Sequence, residues 1–121
     1  MYKIEFYQNQ KGESPFADFI KILRDKSEKS KDCRINYHKI LAYLDMLQEM
    51  GTRMGEPVVK HLDGEIWELR PLKHRVLFAY YKDDTFIILH YFTKKTKKTP
   101  RKELEQAKHN LKDLMEREGF L

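Results

Sequence analysis

The residues best suited to chemistry in this chain are cations, and they crowd into one stretch. From Arg70 to Lys102 there are ten Lys and Arg against only Asp83 and Asp84, a net +8. The whole chain carries +5, so the remainder sums to −3. A mildly acidic body with one basic segment attracts a polyanion, or an acidic partner that covers the segment. Within WELRPLKHRVLFAYYKDDTFIILHYFTKKTKKTP (67–100), Arg70 and Arg75 flank Pro71, and Lys73 lies between them. Lys94, Lys95, Lys97 and Lys98 follow the last apolar run, and Arg101 comes just after. A guanidinium grips phosphate bidentately, and an ammonium offers a compact point charge. His90 stands inside FIILHYF, on the parity of Phe86, Ile88 and Phe92. A histidine there is either a packed strand residue or an acid–base group. By the same token a lysine run is also what a solvated connection looks like. His61 and His74 read as solvated. Tyr80, Tyr81, Tyr91 and Phe92 read as strand packing, with a rim position able to stack on a base.

Other chemistries find little support. Gly51 to Gly55 lacks the phosphate-loop pattern, and no HExxH or CxxC occurs. Asp83 and Asp84 sit in a turn without further ligands in reach. Cys33 is the only cysteine, which rules out an intrachain disulfide or thiolate cluster and points to a reducing compartment. No metal or other cofactor is called for.

These residues need elements to hold them. Tyr2–Tyr7 alternates as a first strand. Ser14-Pro15 opens a helix, Ser as cap and Pro in the first turn, with Phe16, Phe19, Ile20 and Leu23 as its apolar stripe. Residues 25–32 read as a polar connection. A second helix covers Cys33–Met50, with Ile40, Leu41, Leu44 and Leu47 inward and Gly51 as its C-terminal cap. Strand character resumes at Val58–Leu62, turns at Asp63-Gly64, and continues over Glu65–Arg70, Lys73–Tyr81 and, after Asp83-Asp84, Thr85–Phe92. Thr99-Pro100 opens the last helix by the same cap logic, with Leu104, Ala107, Leu111 and Leu114 on its inner face. The order is strand, two helices, three strands, helix. That is an α+β fold, a small antiparallel sheet with helices packed on it. Hairpin connection brings Arg70 toward Arg75, and a central last strand would bring Lys94 and Lys95 to the same rim.

At 121 residues the chain suits a single domain, 1–121, and 40% apolar residues can build one core. MYKIEFYQNQ lacks the apolar segment of a signal peptide, and no run approaches the ~20 apolar residues of a membrane span. A cytoplasmic protein without membrane contact is expected.

Two motifs then carry a family resemblance. One is W-E-L-R-x-L-x-x-R-V-L-F, from Trp67 to Phe78. The other is I-L-H-x-F-x-K-K-T-x-K-T-P, from Ile88 to Pro100, followed by a helix with Glu103 and Ala107. Together they resemble the HigB branch of the RelE-like toxins, over nearly the whole chain. The resemblance implies a microbial-ribonuclease-like fold and the toxin of a toxin–antitoxin pair. It also implies a ribosome-dependent endoribonuclease cutting messenger RNA in the A site. The partner would be a HigA-like helix-turn-helix antitoxin bound in a hetero-oligomer.

Metal-free RNA cleavage uses the substrate's 2′-hydroxyl and needs a base, an acid and cations around the phosphorane. On that reading Arg70 and Arg75 clamp the scissile phosphate. Lys95, with Lys94, stabilises the transition state or donates a proton, and His90 is the acid or base. Lys73, Lys97, Lys98 and Arg101 hold flanking phosphates. The rival readings are a non-catalytic ParE-like gyrase inhibitor and a basic RNA-binding module without activity.

Overall fold

The structure is a computed structural model that describes residues 1–119; residues 120 and 121, the end of the expected 1–121 domain, lie outside the described residues. Side-chain caps set the helix starts. Ser14 Oγ accepts from the Ala17 N–H at 3.3 Å, and α1 spans Pro15–Lys26. Ser30 Oγ accepts from the Cys33 N–H at 3.1 Å and opens α2, Lys31–Met50. This helix begins two residues before the Cys33 expected, because Ser30 supplies a cap that the apolar pattern does not reveal. Gly51 ends α2 with φ of +62°, and a Cβ there would lie 2.9 Å from the Tyr2 ring. Backbone angle and ring both require glycine.

The strands are β1 (Lys3–Phe6), β2 (Val59–Asp63), β3 (Ile66–Leu69), β4 (His74–Tyr80) and β5 (Thr85–Thr93), and α3 spans Arg101–Arg117. They form one sheet in the order β1-β5-β4-β3-β2. β2, β3, β4 and β5 pair antiparallel, as the hairpin turns lead one to expect. β1 returns parallel to β5, so the α+β sheet is mixed rather than wholly antiparallel. Four strands follow α2, one for each segment expected after it, so the expected order of three strands is one short. The turn between β2 and β3 uses Gly64 and Glu65, one residue later than expected, since a register shift between His61 and Asp63 absorbs an extra residue.

Helices cover both faces of the sheet. On one side Phe16, Leu23, Ile40, Leu44 and Leu47 of α1 and α2 pack with Leu69, Val76, Phe78, Phe86 and Ile88. On the other, Ala107 and Leu111 of α3 pack with Ile66, Leu77, Ala79, Ile87 and Leu89. Strands buried on both faces lose the apolar–polar alternation, which is why VLFA (76–79) and FIIL (86–89) are continuous apolar runs. Each buried Leu or Phe contributes about 1.5–3 kcal/mol. No helix among the described residues is long and apolar enough to cross a membrane.

Candidate nucleic-acid interface

The register of the central strands sets the site. Leu69 pairs with Val76, and His74 pairs with Thr93. The end of β3, the start of β4 and the end of β5 therefore share one rim. Arg70 leaves β3 there and Arg75 enters β4 there, on either side of the turn at Pro71.

A carboxylate joins them. Glu68 points toward α3 from a strand covered on both faces, and its side chain is 2% exposed. Arg70 Nε lies 3.4 Å from its Oε1, and Arg75 Nε lies 3.9 Å from the same oxygen. Thr99 Oγ1 donates to Oε2 at 2.5 Å. A buried charge persists only when it is paired and hydrogen-bonded, and Glu68 has both kinds of partner. Thr99 consequently does not cap α3; Pro100 occupies that position without a side-chain bond. The expected cap hydroxyl instead serves a buried carboxylate, a stronger acceptor.

Arg75 is also buried. Its Nη1 donates to the carbonyls of Leu72 and His74, each at 2.9 Å. Burial, then the nearby Arg70 charge, pushes the guanidinium below the usual arginine value, while Glu68 pulls it back. The expected arginine pair is thus one partly exposed arginine, Arg70, with 21% of its side chain open, and one buried arginine, Arg75, both beside Glu68.

The lysine arc is pinned at both ends to this rim. Lys94 N–H donates to the Lys73 carbonyl at 2.7 Å, and five residues later Thr99 bonds Glu68. Between the pins Thr96 Oγ1 donates to the Lys98 carbonyl at 2.8 Å. Lys73, Lys94, Lys95, Lys97 and Lys98 are all exposed. Arg101, in the first turn of α3, is exposed too, with Glu105 3.9 Å away. A surface pair of that kind contributes about 0–1 kcal/mol and leaves the cation available.

His90 is turned by a bulge. Phe78 pairs with Ile88 and Leu77 with His90, so Leu89 is the extra residue. The parity expected from the sequence breaks here. Phe86 and Ile88 pack against α1 and α2, whereas His90 faces α3 with Phe92, its ring centroid 6.3 Å away. Its Nε2 lies 3.4 Å from Glu103 Oε1, and the side chain is 23% exposed. An imidazole held by a carboxylate and partly open to solvent can take or give a proton. Asn110 of α3 is buried and donates to the Leu89 carbonyl at 2.7 Å, which secures the bulge.

His61 is exposed, as expected, and leans on Trp67. His74 is not solvated. It is half-buried, its ring 5.2 Å from that of Phe19, because α1 covers this side of the rim. Tyr91 stacks on Phe19 at 4.3 Å and is packing, not a free platform. Among the described residues no group of three or more His, Cys, Asp or Glu could hold a metal ion.

Reasoning from the sequence passed over the roles of Glu68, Glu103 and Asn110. Glu68 carried a usable signal, an acid amid apolar strand residues in IWEL. Glu103 and Asn110 carried none, since their partners are set by how α3 docks.

Comparison with known families gives one further finding. A model for phage-derived Gp49-like proteins matches residues 23–112, which include the rim, the lysine arc and most of α3. Among curated proteins the comparison finds no match. The fold is compatible with that of RelE-like toxins. The chain belongs to the phage-derived Gp49-like family, a family of toxins from toxin–antitoxin systems within the RelE/HigB-like superfamily.

Proposed function

We propose that this chain is the toxin of a toxin–antitoxin pair, acting as a metal-free, ribosome-dependent endoribonuclease on messenger RNA. The observation that carries the reading is the exposed lysine arc, tied at both ends to the rim that bears Arg70 and Arg75. The His90–Glu103 pair stands on β5 and α3, the two elements that the arc connects.

The substrate's 2′-oxygen attacks the adjacent phosphorus and loses its proton to a base. The 5′-oxygen leaves and takes a proton from an acid. The products are a 2′,3′-cyclic phosphate and a 5′-hydroxyl. His90 carries the proton, with Glu103 orienting its ring. Arg70 faces the scissile phosphate, and Arg75 supports it through Glu68. Lys95 and Lys94 stabilise the phosphorane charge. Lys73, Lys97, Lys98 and Arg101 hold flanking phosphates. The site has many cations and one modest acid–base group, so an imposed substrate geometry from the ribosomal A site would supply the missing orientation. A HigA-like helix-turn-helix antitoxin would silence the toxin by covering the basic face in a hetero-oligomer.

The test is primer extension on messenger RNA translated with the purified chain. Discrete cuts are expected in the presence of ribosomes. Lys95→Ala should lower the cutting rate by about 10²-fold, and His90→Gln by about 10²–10⁴-fold, with unchanged circular dichroism. Wild-type rates in both variants would overturn the site. DNA damage without RNA cuts would replace the reading with gyrase inhibition.

A further inference from the structure

A cavity of about 390 Å³ opens on the α2 side of the same rim. Two large apolar side chains from different elements line it. Ile35, from the start of α2, is 47% exposed, and Leu72, from the β3–β4 turn, is 46% exposed. Leu72 has φ of +57°, a left-handed angle rare for a residue of its kind. The two Arg75 bonds to the Leu72 and His74 carbonyls hold the turn in this shape. Such strain persists where surrounding contacts over-determine it, and it clusters at functional sites.

The cavity has a polar edge and a basic mouth. Asn36 Nδ2 donates to the Asp32 carbonyl at 2.8 Å, which fixes the amide beside the opening. Lys73 lies at the mouth, and its carbonyl accepts from Lys94, the first residue of the lysine arc.

We propose that this cavity is a subsite for one unpaired nucleobase of the RNA strand that the lysine arc holds. Ile35 and Leu72 flank the base, and Asn36 contacts its edge. The proposal rests on the ribonuclease reading for its ligand. Single-stranded RNA is recognised by splayed bases seated against side chains, with polar groups on the base edge. The Asp32 carboxylate would repel a phosphate inside the cavity and accepts from a base amino group instead. The phosphate therefore stays outside, on Lys73 and the arc. His74 also lines the cavity, and burial, opposed by Asp32 and aided by Arg75, pushes its imidazole toward the neutral form. A partner helix is a poorer fit. It needs an apolar stripe several turns long, and among the described residues the large apolar side chains that line the cavity are Ile35 and Leu72.

The experiment uses the full chain and a short 5′-labelled single-stranded RNA, read by fluorescence anisotropy over a salt series. A matched set of RNAs lacks one base at successive positions. Ile35→Ala should weaken binding about tenfold, the scale of a lost apolar contact, with an unchanged salt slope. Removing the seated base should cause the same loss, and the two losses should not add. Lys95→Ala should instead lower the slope by about 0.7. Wild-type binding by both Ile35→Ala and Asn36→Ala would overturn the subsite. So would weakened antitoxin binding by Ile35→Ala with RNA binding untouched, which would assign the cavity to a protein. A chain that shows the Ile35 effect but cuts no RNA would sink the nuclease reading alone. A cutting chain that shows neither the Ile35 nor the Asn36 effect would sink the subsite alone.

Discussion

At the scale of single residues, Glu68 organises more than any cation does. Its carboxylate faces Arg70 and Arg75 and accepts from Thr99, so it holds two strands and the arc together. Glu68→Gln keeps the shape and removes the charge, leaving Arg75 buried beside a neutral amide. Breaking a buried pair from one side costs about 3–5 kcal/mol, and urea denaturation should show a loss of that order. Glu68→Gln combined with Arg75→Met removes both charges and should recover part of the loss. A double variant no more stable than the single one would refute the pairing. His74 makes a second residue-scale prediction. Burial lowers its folded value below the unfolded one, Asp32 opposes the shift and Arg75 adds to it. As pH falls, the unfolded chain therefore binds the proton first. The related stability is present above the unfolded value of about 6.5, and it is lost as pH falls toward the folded value. His74→Phe should flatten the dependence of the urea midpoint between about pH 8 and pH 5. An unchanged profile would show that another group governs it.

At the scale of elements, the docking of α3 decides what the site can do. The helix brings Glu103 to His90 and Asn110 to the Leu89 carbonyl, one turn on either side of Ala107. Asn110→Leu removes that hydrogen bond from the interior, at a cost of about 1–3 kcal/mol. Thermal denaturation should register the loss. Amide exchange should quicken around the bulge before it does in α1. Uniform quickening throughout the chain would mean that Asn110 supports the whole fold and not the bulge. Ser14→Ala tests the other side of the sheet, where losing the cap of α1 should cost about 1 kcal/mol and leave RNA cutting unchanged.

At the scale of the whole molecule, charge is segregated. The stretch 70–102 holds +8 in a chain of net +5, and the fold gathers most of these cations on the rim, the arc and the first turn of α3. Binding to single-stranded RNA should therefore weaken steeply with salt. The slope of log affinity against log salt is about −0.7 for each phosphate neutralised. Replacing Lys94, Lys95, Lys97 and Lys98 together with Gln should flatten it by about 3. A slope that survives the quadruple change would place the RNA elsewhere.

Local sequence carried the positions of the helices and strand segments, the Ser14 cap, the Gly51 stop and the charge polarity. These depend on residues within a turn or two of one another, so a linear reading reaches them. Tertiary structure decided the rest. The parallel return of β1, the burial of Arg75, the place of Glu68 and the partners of His90 depend on register and docking between segments far apart in the chain. One extra residue at Leu89 is enough to move His90 from the face its parity predicts to the face that meets α3, because side chains in a strand alternate with a period of two. Spacing alone does not reveal such a slip; it follows from the pairing of β4 with β5 and from the helix packed above them.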